Sequence, residues 1–564
     1  MENLTAAEAT VRMLDLYGVR HVFGLCGDTS LPLYDALYRM DHGITHVLTR
    51  DERSAAYMAD GYARVSGRPG VCEGPSGGGA TYLLPGLVEA NESSSPVLGI
   101  TSDVPVASRG RYPLTELDQE SLFRPLTKWN TVCDRADQVP QAIRAAFRHM
   151  TTGRPGAAHI GLPYDVLKQP VDGAEIWAQE GHSRYPAWPS GADPVALEAA
   201  TAAILQARRP LFICGGGVIS AGATDVLAEL ATLVNAPVCT TVTGKGSIAD
   251  THALSVGVVG LNGGVVATRD VVQQADLVIF VACRAGSTTT ERWTQPPRHV
   301  PIVHIDVDPA AVSANYRTAH ALIGDARLVL EALFARLRIQ LAGEAPGVRD
   351  GAATAALARR TKAAAFLPLA GSLERPIRPE RVIAELNRVL PRDAVVVADP
   401  GTPCPYVSAY YESQSAGRHF ITNRAHGALG YSMSAALGAW FAQPGRTCVS
   451  IMGDGSFGFS VGELETVVRC KAPLLMIVLA NASYGWIKAS QKASYGGRYF
   501  SVDFSATDHA RIASAYGVRS WRVDDPAELG TVLGQALEHG GPALVDVVTQ
   551  PLQDAAAPVL QWMG

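Results

Sequence analysis

The stretch Gly453-Asp454-Gly455-Ser456-Phe457 decides the fold of this chain, together with the run that ends in Leu479-Ala480-Asn481-Ala482-Ser483-Tyr484-Gly485. Residues 447–452, just before it, are apolar and β-branched, which predicts a buried parallel strand. Residues 461–468 have apolar side chains at helical spacing, and residues 474–479 predict a second strand. The pattern therefore predicts a strand, a turn, a helix and a parallel strand.

Polar side chains follow both of these predicted strands. Because a right-handed crossover joins neighbouring parallel strands, Asp454 and Asn481 are expected side by side at the carboxyl edge of one sheet, where α/β proteins bind ligands. Carboxylate and amide oxygens are suitable ligands for Mg²⁺. Phosphate oxygens of a substrate or cofactor commonly complete its octahedral coordination. A Gly-Asp-Gly tripeptide alone is also typical of a plain turn, so the prediction depends on the whole unit.

Composition predicts a globular protein of several domains. A length of 564 residues corresponds to three or four domains at about 150 residues each. Hydrophobic residues make up 47% of the chain and charged residues 18%, which is typical of an ordered protein. The net charge of −5 gives no electrostatic basis for binding nucleic acid or an anionic membrane, so the expected partners are small molecules.

We expect a cytoplasmic protein. The first residues lack the basic and apolar regions of a secretory signal, and no apolar run reaches the roughly 18 residues of a membrane span. The cysteines are odd in number and include no C-x-x-C pair, and the histidines show no zinc-binding spacing. The cysteines are therefore expected to be reduced and structural.

Short apolar runs alternate with Ala- and Leu-rich helical segments along the whole chain, which predicts an α/β protein with parallel sheets. Residues 183–194 and 341–379 contain proline and lack periodicity, so they are predicted to be linkers. The expected fold is three doubly wound parallel-sheet domains, over residues 1–182, 190–340 and 375–564.

The complete strand, Gly-Asp-Gly, helix, strand and Asn unit resembles the diphosphate-binding motif of the thiamine diphosphate-dependent enzymes, and the resemblance extends over nearly the whole chain. It implies thiamine diphosphate and Mg²⁺ as cofactors, and pyrimidine-binding, central and diphosphate-binding domains in chain order. The implied metal ligands are Asp454, Asn481 and Ser483. The implied cofactor contacts of the C-terminal domain are Thr402, Gly453, Asp454, Gly455, Ser456, Asn481, Tyr484, Gly485 and Trp486.

Glu52 is the residue to which the resemblance assigns catalysis and cofactor binding. It starts a predicted helix in Asp51-Glu52-Arg53-Ser54-Ala55-Ala56-Tyr57-Met58-Ala59-Asp60-Gly61-Tyr62-Ala63-Arg64. A carboxylate in a first helical turn is also typical of a surface group that compensates the helix dipole. In the family, however, an acidic residue at this place hydrogen-bonds the aminopyrimidine N1′ and promotes the imino tautomer that deprotonates thiazolium C2.

Two loops of the N-terminal domain resemble family segments near the cofactor. Residues 74–81 are similar to the loop beside the pyrimidine, although their composition also fits a flexible loop. Residues 22–29 are similar to the loop over the thiazolium, with Cys26 where proline is usual. Gly27 and Asp28 are its implied catalytic residues, and Asp28 is alternatively an N-cap for the following helix.

The segment that contains Gly427 and Leu429 resembles a turn of the family that contacts the aminopyrimidine. The resemblance implies that the carbonyl of Gly427 and the N–H of Leu429 pair with this ring. Leu429 would also wedge the cofactor into its bent form, and its alternative is an ordinary core residue. Gln119 and Lys128 lie in a stretch similar to acetolactate synthases and are the predicted catalytic residues on the substrate side. A solvated surface charge is the alternative for Lys128.

The first and third domains look most like acetolactate synthase large subunits, but the chain departs from that pattern. Ser490 replaces the synthase Trp that helps to select the acceptor. Residues 283–293 differ from the synthases' flavin-binding run, so FAD is an open question, and Gly215–Gly217 could hold an adenine nucleotide or nothing. The pair of histidines that is typical of the family's decarboxylase branch is missing between residues 100 and 130. This disfavours a simple decarboxylase that releases an aldehyde.

The resemblance implies a thiamine diphosphate- and Mg²⁺-dependent C–C lyase or ligase that decarboxylates a 2-oxo acid and carboligates, like acetolactate synthase. It also implies a homodimer or homotetramer with active sites between chains. Three alternatives stay open: an unusual substrate such as an acyl-CoA or a cyclic diketone, a simple 2-oxo acid decarboxylase, and a catalytically silent cofactor-binding paralogue. Retention of Glu52, Asp454 and Asn481 argues against the last.

Overall fold

The computed structural model describes residues 4–342, 349–555 and 557–560. Three parallel sheets of six strands each follow one another along this part of the chain. This confirms the predicted fold class. The predicted strands over residues 447–452 and 474–479 are both present. The predicted linker 183–194 contains no sheet strand and ends where the helix that starts at Pro194 begins. The domain boundaries given above stay predictions.

The first sheet belongs to the N-terminal part of the chain. The elements there are β1 (Leu4–Thr5), α1 (Ala6–Leu16), β2 (His21–Gly24), α2 (Leu31–Arg39), β3 (Thr45–Leu48), α3 (Glu52–Ser66), β4 (Gly70–Gly74), α4 (Gly78–Glu92), β5 (Val97–Asp103), α5 (Gln119–Phe123), β6 (Trp129–Val132), α6 (Val139–Thr151), β7 (Ala158–Pro163) and β8 (Pro170–Val171). The sheet order is β3-β2-β4-β5-β7-β6, and β1 pairs with β8 separately. One face of the sheet packs on α1, α2 and α6.

The second sheet has the order β11-β10-β9-β12-β13-β14. Its elements are α7 (Pro194–Gln206), β9 (Pro210–Cys214), α8 (Gly216–Ser220), α9 (Thr224–Val234), β10 (Val238–Thr240), β11 (Ser255–Val258), α10 (Val266–Gln274), β12 (Leu277–Val281), β13 (Ile302–Asp306), β14 (His320–Ile323), α11 (Ala326–Leu341) and α12 (Gly351–Ala370). The helix α12 lies inside the stretch 341–379 that was predicted to be a linker. Its many alanines favour a helix even without a clear apolar stripe.

The third sheet has the order β16-β15-β17-β18-β20-β19. Its elements are α13 (Pro379–Val389), β15 (Val395–Ala398), α14 (Pro403–Tyr410), β16 (Phe420–Thr422), α15 (Ser432–Ala442), β17 (Cys448–Gly453), α16 (Asp454–Ser460), α17 (Leu464–Arg469), β18 (Leu475–Ala480), α18 (Gly485–Tyr495), α19 (His509–Ala515), β19 (Arg519–Val523), α20 (Leu529–Glu538) and β20 (Ala543–Val548). A helix begins directly at Asp454, where the sequence predicted a turn. A carboxylate in the first turn is favourable there.

The chain divides into two compact units. One comprises Met1–Trp188, Asn423–Gly445 and Ser460–Ala472, and the other comprises Pro189–Thr422, Arg446–Phe459 and Pro473–Gly564. Two segments from the C-terminal part of the sequence, including α15 and α17, thus pack with the first sheet. No helix among the described residues combines the length and apolarity needed to cross a membrane.

Candidate active site

Asp454 and Asn481 meet at the carboxyl edge of the third sheet, as predicted. The strands β17 and β18 are parallel neighbours, so both residues follow strand ends. The Oδ2 atom of Asp454 accepts hydrogen bonds from the N–H groups of Asn481 at 2.7 Å and Ala482 at 2.6 Å. Its Oδ1 atom accepts from the N–H of Gly455 at 2.9 Å. The carboxylate is therefore held by backbone donors from both strand ends.

Burial raises the pKa of Asp454, and the three backbone donors and nearby His509 oppose that shift. Ser483 donates its hydroxyl to Oδ1 of Asn481 at 3.1 Å, and Ala482 between them has φ of 54°. The left-handed backbone at Ala482 makes this a tight turn directly beside Asp454. Among the described residues no group of three or more His, Cys, Asp or Glu is placed to hold a metal ion. A metal here would therefore need backbone, amide or phosphate oxygens, as Mg²⁺ does.

Glycines let three segments approach one another beside this turn. A Cβ on Gly455 would lie 2.7 Å from the ring of Tyr484, and a Cβ on Gly485 would lie 3.0 Å from Oγ1 of Thr402. A Cβ on Gly453 would meet no heavy atom within 4 Å, so a ligand could approach the backbone there. These contacts bring the predicted diphosphate-binding residues into one neighbourhood.

Two further predicted cofactor contacts of this region are less accessible. Ser456 is buried in the first turn of α16. Trp486 lies near the start of α18, and its ring packs against the apolar core of the unit. Their predicted roles in cofactor binding stay predictions.

Glu52 is the first residue of α3 and is only 7% exposed, unlike a surface group. The side chain of the preceding Asp51 caps the helix by accepting from the N–H of Arg53 at 2.8 Å. A Cβ on Gly79 would lie 3.0 Å from Oε1 of Glu52, and a Cβ on Gly74 would lie 3.2 Å from its Cγ. The loop of residues 74–81, called the glycine loop below, therefore passes directly over the carboxyl group.

Burial is the main cause that raises the pKa of Glu52, and the charges of Asp51 and Glu73 add to it. The backbone N–H of Glu52 itself and the charge of Arg53 oppose the shift. No side chain of the described residues donates to the Glu52 carboxyl group. A buried carboxyl group with free hydrogen-bonding capacity fits a heterocycle nitrogen that exchanges a proton with it.

Hydroxyl groups join the two predicted cofactor loops of the first sheet. The Oγ1 atom of Thr29 lies 3.0 Å from Oγ of Ser76 and 2.8 Å from Oγ of Ser102. A Cβ on Gly27 would lie 2.5 Å from Cβ of Pro75, so only glycine permits this approach of the loops. Asp28 is exposed and begins a single 3₁₀ turn. The N-cap of α2 is Ser30, so the capping alternative for Asp28 is wrong.

The turn that contains Gly427 and Leu429 is held from both sides. Asn423 donates its amide N–H to the carbonyl of Ala428 at 2.5 Å, and Glu89 accepts from the N–H of His426 at 2.7 Å. Gly427 has φ of 77°, which favours glycine. Leu429 is half-buried and so is not an ordinary core residue of this chain.

Gln119 and Lys128 are engaged within the fold. Gln119 is 1% exposed, donates to the carbonyl of Ser102 at 2.9 Å and accepts from the hydroxyl of Thr101. The Nζ atom of Lys128 donates to three carbonyls near the end of α6, at 2.5, 2.7 and 2.7 Å from the oxygens of His149, Thr152 and Arg154. Both side chains are thus hydrogen-bonded within the chain, and their predicted substrate-side roles stay predictions.

Sequence reasoning missed a set of buried carboxylates near these loops. Glu73 lies inside β4, Glu89 lies in α4, and Glu463 accepts from the N–H of Arg50 at 2.9 Å, just before Glu52. Each is at most 1% exposed. An acidic residue within an otherwise apolar buried element was the available signal for Glu73.

The glycines of the central sheet contact the chain's own backbone. A Cβ on Gly215 would lie 2.0 Å from the carbonyl oxygen of Ala282, and one on Gly217 would lie 2.6 Å from Cβ of Ala282. The helix α8 that follows Gly215 has five residues. Close packing thus accounts for these glycines without a bound nucleotide.

Comparison with known proteins gives a consistent result over the whole chain. Three domain models match: the thiamine pyrophosphate enzyme N-terminal TPP binding domain over residues 4–122, the central domain over 197–333 and the C-terminal TPP binding domain over 399–547. The chain is 34% identical to a probable acetolactate synthase large subunit of Methanocaldococcus jannaschii, over 98% of this chain and 93% of the relative. It is 31% identical to acetolactate synthase isozyme 3 large subunit of Escherichia coli, over 96% and 93%.

Proposed function

The chain belongs to the thiamine pyrophosphate enzyme family, and we propose that it is a thiamine diphosphate-dependent 2-oxo acid carboligase of the acetolactate synthase type. The observation that carries this proposal is the buried Glu52 carboxyl group, which has free hydrogen-bonding capacity beneath a glycine loop. A silent paralogue would have no use for this arrangement together with the Asp454 turn.

The residues of the third sheet fit a magnesium diphosphate group. The carboxylate of Asp454, the amide oxygen of Asn481 and the backbone carbonyl of Ser483 would hold Mg²⁺, and the open backbone at Gly453 would face the diphosphate. When bound, thiamine diphosphate supplies the electron sink that lets a 2-oxo acid lose CO₂. It then lets the former carbonyl carbon of that acid form a bond to the carbonyl carbon of a second molecule.

The chain's own residues would orient the cofactor and move a proton. Glu52 would bind a pyrimidine ring nitrogen through its carboxyl group and exchange a proton there, since its raised pKa favours holding one. The carbonyl of Gly427 and the N–H of Leu429 would orient the same ring, because Asn423 and Glu89 fix their turn. The loops joined by Thr29 and Ser76 would limit water at this group.

Two finer points belong to the proposal. Mg²⁺ is included, whereas no step of the proposal requires FAD, and close packing against Ala282 accounts for Gly215 and Gly217. The assembly is a homodimer or homotetramer in which Glu52 of one subunit works with Asp454 of another.

The test is CO₂ release with mass spectrometry of products. Full-length protein with thiamine diphosphate and Mg²⁺ is given pyruvate, longer 2-oxo acids and aryl 2-oxo acids. We expect a C–C coupled product from one donor class, and the Glu52→Gln variant should lose about 10²–10⁴-fold in rate.

Other outcomes separate the alternatives. An aldehyde without coupling would identify a simple decarboxylase. Cofactor binding without turnover of any 2-oxo acid would contradict the proposal and lead to an acyl-CoA or cyclic diketone panel. Unchanged turnover in Glu52→Gln would remove Glu52 from the mechanism.

A further inference from the structure

Glu463 is a buried carboxyl group that the mechanism proposed above does not use. It lies in the single turn between α16 and α17 and is 1% exposed. Burying a carboxylate is costly unless hydrogen bonds satisfy it. The segment Ser460–Ala472, which contains this residue, packs in the same compact unit as the first sheet. The hydrogen-bond partners of Glu463 therefore show what the carboxyl group holds there.

Both oxygens of the Glu463 carboxyl group have donors. Oε1 accepts from the backbone N–H of Arg50 at 2.9 Å, and Oε2 accepts from the hydroxyl of Thr466 at 2.6 Å. Burial raises the pKa of Glu463, and its hydrogen bonds, one of them from Ser54, oppose that shift. Arg50 and Ser54 lie two residues before and two residues after Glu52. The carboxyl group of Glu463 thus joins the segment that contains Glu52.

Two further contacts join the same two segments. A Cβ on Gly462 would lie 3.6 Å from Cβ of Arg50, so the backbone beside Glu463 runs close to that residue. The guanidinium group of Arg469 donates to the carbonyl of Leu48, the last residue of β3. The segment that contains Glu463 therefore holds the end of β3 as well as the N–H of Arg50.

The connection from β3 to α3 comprises residues 49–51, and Glu52 follows it as the first residue of α3. The N–H of Thr49 donates to a carbonyl of β2 at 2.9 Å, and the N–H of Arg50 donates to Glu463. A connection this short transmits a shift at Arg50 directly to the first turn of the helix. The place of Glu52 beneath the glycine loop therefore depends on Glu463.

We propose that Glu463 is a positioning residue for Glu52: by accepting from the N–H of Arg50 it fixes the start of α3 and keeps the Glu52 carboxyl group facing the cofactor. The inference rests on the proposed role of Glu52 at the cofactor. The hydrogen bond carries this role rather than the charge, because the donor at Arg50 is a neutral N–H. Glu463→Gln keeps an acceptor oxygen for it, and the hydroxyl of Thr466 can accept from the new amide. Glu463→Leu removes the acceptor.

The first measurement is hydrogen exchange of the full-length protein without cofactor, read by mass spectrometry of overlapping peptides that cover residues 46–58. Glu463→Leu should raise the exchange rate of the Arg50 amide at least about tenfold, and Glu463→Gln should leave it within about threefold of wild type. Glu92→Leu is the matched control, since 48% of the Glu92 side chain is accessible. It should leave the Arg50 amide unchanged.

The second measurement is the exchange of the C2 proton of bound thiamine diphosphate for deuterium, which needs no 2-oxo acid. Full-length protein loaded with thiamine diphosphate and Mg²⁺ is mixed with D₂O, quenched with acid and analysed by NMR of the released cofactor. Glu52→Gln should slow this exchange about 10²–10⁴-fold. Glu463→Leu should slow it at least about tenfold, because a displaced Glu52 loses its aligned geometry. In the Glu52→Gln background Glu463→Leu should cost less than about twofold, because the group that it positions is already gone.

The failure of this proposal is distinguishable from the failure of the proposed function. If Glu52→Gln leaves the C2 exchange rate unchanged, the proposed role of Glu52 is wrong. If Glu52→Gln slows the exchange but Glu463→Leu does not, or if Glu463→Leu slows it equally in both backgrounds, Glu463 is only structural and this proposal is overturned. Glu463→Ala serves if the leucine prevents folding, and failure of both variants to fold would likewise assign Glu463 to structure alone.

Discussion

Asp454 is the single carboxylate of the proposed metal site. Three backbone N–H groups hold its oxygens, and burial raises its pKa. We predict that Asp454→Asn reduces Mg²⁺ affinity at least about tenfold, because an amide carries no charge for the cation. Titration of Mg²⁺ against thermal stability in the presence of thiamine diphosphate checks this. The exposed Asp225→Asn on α9 is the control, and equal Mg²⁺ stabilisation of both variants would contradict the assignment.

The same residue predicts a pH dependence. Only the ionised carboxylate binds Mg²⁺, so the protein should lose metal as pH falls through the pKa of Asp454. Since that pKa is raised in the folded protein, the loss should start at a higher pH than for an ordinary aspartate. Mg²⁺ binding followed from pH 7 down to pH 4 checks the direction. A midpoint at or below the usual range for Asp would show that the three backbone donors outweigh burial.

Sequence could predict residues whose place follows from strand order. Asp454 and Asn481 each follow a strand, so parallel pairing was enough to bring them together. Lys128 could not be placed in this way, because its partners are carbonyls of residues 149, 152 and 154, which local sequence does not identify. Glu73 has a tyrosine and a histidine from two other elements as hydrogen-bond partners, and only the folded chain brings the three together.

At the scale of elements, the crossing of α3 and α15 brings together two segments that are proposed to contact the pyrimidine ring. A Cβ on Gly61 would lie 2.1 Å from the carbonyl oxygen of Ala435, and one on Gly438 would lie 2.0 Å from that of Met58. The helix α3 begins with Glu52, and α15 follows the turn that contains Leu429. Backbone contact at both glycines therefore fixes the relative positions of two predicted parts of the site.

We predict that Gly438→Ala destabilises this crossing by about 3 kcal/mol or more, since a backbone carbonyl cannot move aside as a side chain can. In thermal melts the first unfolding transition should occur at a lower temperature, and the affinity for thiamine diphosphate should also fall. Gly534→Ala on α20 is the control, because a Cβ there meets no atom within 4 Å and alanine favours helix. A Gly438→Ala protein as stable as this control would show that the helices can separate at no cost.

Helices and strands can be predicted from the sequence where the spacing of apolar side chains matches the residues that are buried in the structure. The five residues Leu277–Val281 are all apolar and buried, and they form the strand that the sequence indicates. The helix Gly351–Ala370 was missed because its alanines give no apolar stripe, and only four of its residues are fully buried. The helix at Asp454 was read as a turn because its glycines disfavour a helix locally, and the surrounding structure outweighs that preference.

At the scale of the whole molecule, three sheets follow from the alternating pattern, whereas the division into two compact units does not. The segment Asn423–Gly445 is far from the first sheet in sequence yet packs in the same unit. Glycine contacts such as Gly61 with Ala435 bring it there, and no periodicity in either segment encodes that pairing. Long-range packing of this kind limits what one sequence reveals about a site.

The proposed sharing of active sites between subunits leads to a complementation test. A subunit with Glu52→Gln and a subunit with Asp454→Asn are each expected to be inactive alone. If Glu52 of one subunit works with Asp454 of another, a mixed dimer keeps one fully wild-type site. Random mixing of equal amounts should then restore about a quarter of wild-type activity, because half of the dimers are mixed and each has one of two sites intact.

Co-expression with two different affinity tags allows the mixed dimers to be purified, and their activity should rise to about half of wild type. Mixing each variant only with itself is the control for residual turnover. Sites formed within single chains would leave the mixed dimers as inactive as the parents, because every chain would carry one of the two lesions. Light scattering of the same samples gives the assembly size, so that inactivity from dissociation is separated from inactivity within an intact dimer.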